Sequence, residues 1–226
     1  MKKLCISLLF LSILTVGFSQ TSNQNEEITF NGLKLKTSCE EFLNKNPSAE
    51  KISSEYEPEI QEYKCSTDEN ESAYYYFFQN QLYAVKDVFF NGTTELSLAI
   101  INRLKELYGK AYKVEQIGYD EKTGTYETKS ITVDYKTIFY YDVETHASWK
   151  VSDTQTIEYC DRIVQPKTKS YEDAFAIALF VTSSPLTISL NFSDEKMLAE
   201  VEKFKEQYDK QKEQEKIDSQ KSKLRF

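Results

Sequence analysis

The sequence predicts an α+β fold: a mostly antiparallel sheet covered by two internal helices, with a C-terminal helix that runs into a charged tail. Three observations carry this expectation. Across residues 131–151, Ile131, Val133, Tyr135, Phe139, Tyr141, Val143, Ala147, Trp149 and Val151 occupy odd positions between mostly polar even ones. That is the period of strands with one buried face. Two aromatic runs, 74–78 and 82–90, flank the polar string Gln79-Asn80-Gln81, which is a hairpin signal. Finally, Leu96, Ile100, Leu104, Leu107 and Tyr108 recur at helical spacing before Gly109, the usual stop residue.

Taken in order, residues 28–35 read as a strand broken at Gly32. Ser38-Cys39-Glu40-Glu41 is a capping box that opens a short helix, and Asn46-Pro47 closes it because the residue before proline is pushed out of the helical region. A strand follows around 60–65 in an otherwise charged stretch. After the aromatic hairpin, Asn91-Gly92 turns the chain and Thr93 or Thr94 caps the central helix. Residues 112–119 form a strand and 120–124 a turn. The alternating stretch 131–151 is longer than a typical strand, so it folds into a hairpin or a strongly bent pair. Residues 156–160, 171–181 and 186–192 continue the strand pattern. Ala174, Ala176 and Ala178 would suit a helix, but Tyr171, Phe175, Ile177, Leu179 and Val181 at period two favour a strand. After Ser193 a helix carries Met197 or Leu198, Val201, Phe204 and Tyr208 on one side. Its apolar stripe ends there, leaving 209–226 as solvated helix or disorder.

The N-terminus has the three parts of a cleavable secretory signal over 1–19: Lys2 and Lys3, an apolar run over 4–18, and small Gly17 and Ser19 before Gln20. At about 1.5 Å per residue that run is too short to cross a hydrocarbon core of about 30 Å. The expected organisation is therefore signal 1–19, one exported α+β domain of one or two lobes over 20–208, and the tail 209–226. Its compartment is periplasmic or extracellular. The formal net charge is −8, and −10 once Lys2 and Lys3 leave with the signal. An acidic chain argues against nucleic acid and anionic lipid as partners, since both require a basic footprint.

Cys39, Cys65 and Cys160 survive processing and allow three pairings in an oxidising compartment. Cys39 with Cys65 is preferred, because a crosslink there would fasten a charged segment with few apolar residues of its own. A bridge from either to Cys160 would also close a loop. No C-x-x-C pair exists and His146 is the single histidine, so no zinc pattern is legible.

Asp142, Glu144 and His146 fall at i, i+2 and i+4 of an expected strand and share its polar face. They are the candidates for metal binding. The same face continues with Ser148 and Lys150, which reads as an ordinary wet surface, so no catalytic residue, cofactor or metal is assigned. There is no G-x-S-x-G elbow and no glycine-rich phosphate loop. The tyrosine and phenylalanine run at 74–78 suits sugar stacking or a partner, but a buried sheet accounts for it more simply.

The order of strand, Gly32, capped helix at Ser38 to Glu41, aromatic hairpin, helix closing in Leu104-Lys105-Glu106-Leu107-Tyr108-Gly109-Lys110, and later strand carrying Trp149 resembles uncharacterised exported bacterial α+β proteins. These are distantly similar to the small BamE-like envelope modules. The resemblance covers roughly residues 28–160, and the lipid-accepting cysteine of BamE-type lipoproteins has no counterpart. It implies a non-catalytic binding or assembly role, and no functional residue carries over. The expectation is an exported, non-enzymatic binding or interaction module for a protein or small-molecule ligand without stable membrane insertion. The alternative is an envelope hydrolase using carboxylates and His146, with or without a metal.

Overall fold

A computed structural model describes residues 29–30, 32–120, 122–181 and 186–223. The signal read at 1–19, Ile28, Leu224 and Phe226 lie outside the described residues. The described residues open with a small antiparallel pair of β1 (Thr29–Phe30) and β2 (Leu33–Lys34). Helix α1 (Cys39–Lys45) starts where the capping box placed it, with Ser38 Oγ accepting from the Glu41 amide at 3.1 Å. It ends at Asn46, before Pro47.

Strands β3 (Glu50–Ile52), β4 (Ile60–Asp68), β5 (Glu71–Phe78) and β6 (Gln81–Phe89) form a meander. The β5–β6 turn has two residues, Gln79 and Asn80, both at positive φ. Two left-handed residues match the twist of the flanking strands, and Asn tolerates that region. Helix α2 (Thr94–Tyr108) is capped by Thr93 Oγ1 on the Leu96 amide and stops at Gly109, whose φ is 74°. Next come β7 (Lys113–Ile117), the minor pair β8 (Tyr119–Asp120) and β9 (Thr125–Tyr126), and β10 (Thr128–Val133). The alternating stretch resolves into β10 and the 15-residue β11 (Lys136–Lys150), joined at Asp134 and Tyr135. After β12 (Gln155–Pro166) come helix α3 (Tyr171–Phe180), β13 (Leu186–Asp194) and helix α4 (Glu195–Lys223).

The antiparallel main sheet runs β10-β11-β12-β13-β6-β5-β4-β3, with β7 sharing the outer edge of β11 with β10. Alternation gives each central strand one side toward each face. The inner face carries Tyr63, Tyr75, Phe77, Val85, Trp149, Tyr159, Ile188 and Phe192 beneath Phe42 of α1 and Ile100 and Leu104 of α2, in one continuous core. This is the sheet covered by two internal helices that the sequence predicts. The outer face is covered only toward its two ends. Ala176 and Ile177 of α3 pack on Ile138 and Val164, while Met197 and Val201 of α4 pack on Ile60, Phe78, Tyr83 and Ala84.

Two expectations are corrected. Residues 171–180 are a helix, because Ser170 Oγ accepts from the Asp173 amide and Asp173, Ala176 and Ile177 reach the sheet at i, i+3 and i+4. Of the odd-numbered apolar residues that suggested a strand, Tyr171, Phe175 and Leu179 instead face outward, at 84%, 55% and 62% exposure. The Cys39–Cys65 bridge is not formed, since Cys39, Cys65 and Cys160 are all free thiols. The Cys39 thiol donates to Gln61 Oε1 at 3.5 Å. Gln61 precedes Cys65 by four residues on β4, about 13 Å along a strand. A bridge tolerates a Cα separation of only about 7 Å.

The C-terminal helix behaves as its stripe dictates. Phe204 meets Phe78 with ring centroids 5.6 Å apart, and Tyr208 meets Tyr56 at 5.3 Å. The Tyr208 hydroxyl donates to the Glu55 carbonyl at 2.7 Å, and Lys212 reaches Glu55 at 3.7 Å. Beyond Lys212 the residues are almost all exposed, yet the helix continues to Lys223. Among the described residues no helix is long and apolar enough to cross a membrane.

Candidate functional site

Between α3 and α4 the outer face of the sheet is left open, and polar side chains there stand beside Val88 and Phe90. Strands β11, β12, β13 and β6 place Glu144 and His146, then Cys160 and Arg162, then Ser189 and Asn191, then Lys86, on this one surface. The result is a groove of about 710 Å³ with Tyr76, Tyr83 and Leu198 at its α4 end. Its size falls in the range of small-ligand sites, roughly 300–1,000 Å³.

At the centre three donor groups converge. His146 is directly opposite Cys160 in the β11–β12 register, and Glu144 precedes His146 by one position on the same face. His146 Nε2 lies 3.0 Å from Glu144 Oε2 and 3.7 Å from Cys160 Sγ. One donor atom from each residue lies within 4.8 Å of the other two. All three side chains are half-buried, so the cluster is walled by the sheet yet reachable from the groove.

Arg162 holds this arrangement in place. Its Nε is 3.6 Å from Glu144 Oε1, which leaves Oε2 turned toward His146. Asp142 in turn grips the guanidinium with both oxygens, at 2.8 and 2.9 Å, and Lys129 adds a contact to Asp142 Oδ2 at 2.8 Å. The Arg162 hydrogen bonds, seconded by Lys129 and opposed by burial, hold the Asp142 carboxyl down to about 2. Of the three residues singled out in the sequence, Glu144 and His146 come together in the groove. Asp142 does not: it is buried and committed to Arg162 and Lys129. Cys160 takes the place expected of it.

The chemistry open to this cluster is limited by which atoms meet. A nucleophilic triad needs its imidazole to bridge two partners through two different nitrogens, one accepting the nucleophile's proton and the other held by the carboxylate. Here both contacts fall on Nε2. Burial, with Glu144 and Asp161 adding to it, also pushes the Cys160 thiol up to about 11. That is the opposite of an activated nucleophile. Two donors meeting a third at one nitrogen is instead an arrangement that a cation completes better than a single proton can.

No family model, curated protein or solved structure matches this chain.

The site therefore rests on its own geometry. A second polar constellation lies on the opposite face: Ser97 Oγ contacts the Tyr159 hydroxyl at 2.6 Å, and both donate to Asp161 Oδ2, at 3.1 and 2.8 Å. It is buried under α2 and satisfies itself, which makes it a fastening between helix and sheet. The aromatic run of β5 divides as the simpler reading expected, with Tyr75 and Phe77 in the core and Tyr76 at the groove.

Proposed function

We propose that the protein is an exported, non-enzymatic binding module whose ligand seat is the groove between α3 and α4. The observation that carries this reading is the gap itself. A sheet face whose two ends are covered by helices leaves its middle concave and mixed in character, with Arg162 and Lys86 beside Glu144 and Glu158, Val88 and Phe90 among them, and the phenols of Tyr76 and Tyr83 at one end. Burial raises both phenols above their ordinary value, Tyr83 to about 12, so they are neutral hydrogen-bonding groups at physiological pH. Such a wall suits a small polar ligand bearing both donor and acceptor groups. The three-part N-terminal segment supports export, and intact mass of secreted material should show a chain beginning near Gln20.

A thermal-shift and NMR screen of small polar compounds against the full mature chain tests the seat. Ligands should perturb Ser189 and Cys160 and lose binding in Asn191→Trp, which fills the groove from β13. Ligands that bind equally well in that variant would place the seat elsewhere. Hydrolysis of ester or phosphoester substrates that disappears in Glu144→Gln and His146→Gln would overturn the non-enzymatic reading in favour of an envelope hydrolase.

A further inference from the structure

We propose that Glu144, His146 and Cys160 form a binding site for a divalent transition-metal ion of the zinc class. This deepens the reading of the groove as a ligand seat and rests on it for access. The donor set is one thiol, one imidazole and one carboxylate, which together suit a borderline-soft ion better than calcium or magnesium. A tetrahedral zinc about 2.0–2.3 Å from its donors sets them roughly 3.3–3.6 Å apart. Two of the three separations, 3.0 Å for Glu144 to His146 and 3.7 Å for His146 to Cys160, bracket that range. The Glu144 and Cys160 donor atoms lie within 4.8 Å of each other, so side-chain adjustment of about an ångström brings all three onto one ion without moving the strands.

The surroundings are organised as metal sites require. Glu144 offers one oxygen inward because Arg162 holds the other, and Asp142 fixes Arg162, so the carboxylate is oriented before any ion arrives. Each ligand sits on a rigid central strand, His146 and Cys160 as a directly opposed pair. Three protein ligands facing an open groove leave a fourth position for water or for a donor atom of the groove's ligand. Binding balances in protons: the Cys160 thiol gives up its proton to solvent, the thiolate electron pair goes to the ion, and nothing is oxidised or reduced.

Cobalt(II) and zinc(II) are the probes for the test, with the mature full-length chain freed of metal by chelator under reducing conditions. One equivalent of cobalt should bind with a thiolate-to-cobalt charge-transfer absorption, and zinc should displace it. Cys160→Ser should abolish that absorption, and His146→Gln should weaken zinc at least about 100-fold, while Cys39→Ser and Cys65→Ser leave both unchanged. Far-UV circular dichroism checks that each variant is folded. Should Cys160→Ser fail to fold, zinc protection of Cys160, over Cys39 and Cys65, from alkylation in the wild-type chain gives the same answer. Absence of stoichiometric cobalt binding, or a charge-transfer band that survives Cys160→Ser, overturns the proposal. Asn191→Trp separates this inference from the broader one. Metal binding that persists while small ligands are lost supports both, and small-ligand binding without metal binding defeats the metal site alone.

Discussion

Asp142 and Arg162 are joined by two hydrogen bonds across a diagonal of the sheet, for Asp142 stands opposite Val164 and Arg162 stands opposite Glu144. The bidentate clamp spans one same-face step of register and ties the buried Asp142, midway along β11, to the groove. Because Arg162 also reaches Glu144, a carboxylate facing the α3 end of the sheet fixes a carboxylate in the groove.

Asp142→Asn keeps the shape and removes the charge. It should cost about 1–2 kcal/mol in urea unfolding, since Arg162 is partly solvated and can recover some hydration. Cobalt affinity should fall about 10-fold as Glu144 loses its anchor. Unchanged stability and unchanged metal affinity together would show that the clamp positions nothing.

Gly118 follows β7 with a φ of 80°, and a β-carbon there would collide with the Asp142 carbonyl oxygen. Gly118→Ala should therefore cost at least about 2 kcal/mol, from the left-handed backbone and the forced separation of the two strands together. A variant as stable as the parent would mean that β7 does not lie against β11 as described.

Stability should fall at alkaline pH. Burial first, then the Cys39 interaction for Tyr63 and Glu62 for Tyr83, raises both phenols from 10.0 to about 12. The unfolded chain releases these protons earlier than the folded one. Their contribution is complete below pH 10 and is lost as pH rises through about 12. Urea unfolding at about pH 9 and about pH 11, with tyrosinate absorbance followed in parallel, measures the decline. A flat profile across that window would mean the rings are solvated.

Truncation of the C-terminal helix should show a sharp boundary. Ending the chain after Lys212 keeps the Tyr208 and Glu55 contacts and should move the melting temperature by less than about 2 °C. Ending it after Lys203 removes Phe204 and Tyr208 and should lower it by more than about 5 °C. Equal effects from the two truncations would place the anchoring contacts beyond Lys212.

Much of the scaffold is legible in the sequence because local signals coincide there with tertiary contacts. Ser38 caps α1 through the Glu41 amide as its position dictates, and Leu104, read as the middle of an apolar stripe, is buried under the sheet. Helix α3 is misread because its outward residues, Tyr171, Phe175 and Leu179, are apolar at a spacing of four, which also satisfies a period of two. Hydrophobicity identifies a buried face only where exposed positions are polar, and here they are not. Glu144 and His146 are found by alternation within one strand. Cys160 is not, because its place beside them depends on which residues of β12 pair with β11, and pairing register is set by the turn and by packing on the far face. For the same reason the sequence offers Asp142 as a ligand when its partner, twenty residues onward, makes it an anchor.

The alternation along β11, β12 and β13 separates what the open surface presents from what the core packs. Groove residues there alternate with core residues, His146 beside Ala147 and Cys160 beside Tyr159, and the two kinds point to opposite sides of the same backbone. Substitutions confined to one parity can alter what the surface recognises while leaving the packed layer beneath α1 and α2 intact. A change at Ser189 or Asn191 therefore alters the open side of the sheet and leaves the side that α1 and α2 cover as it was.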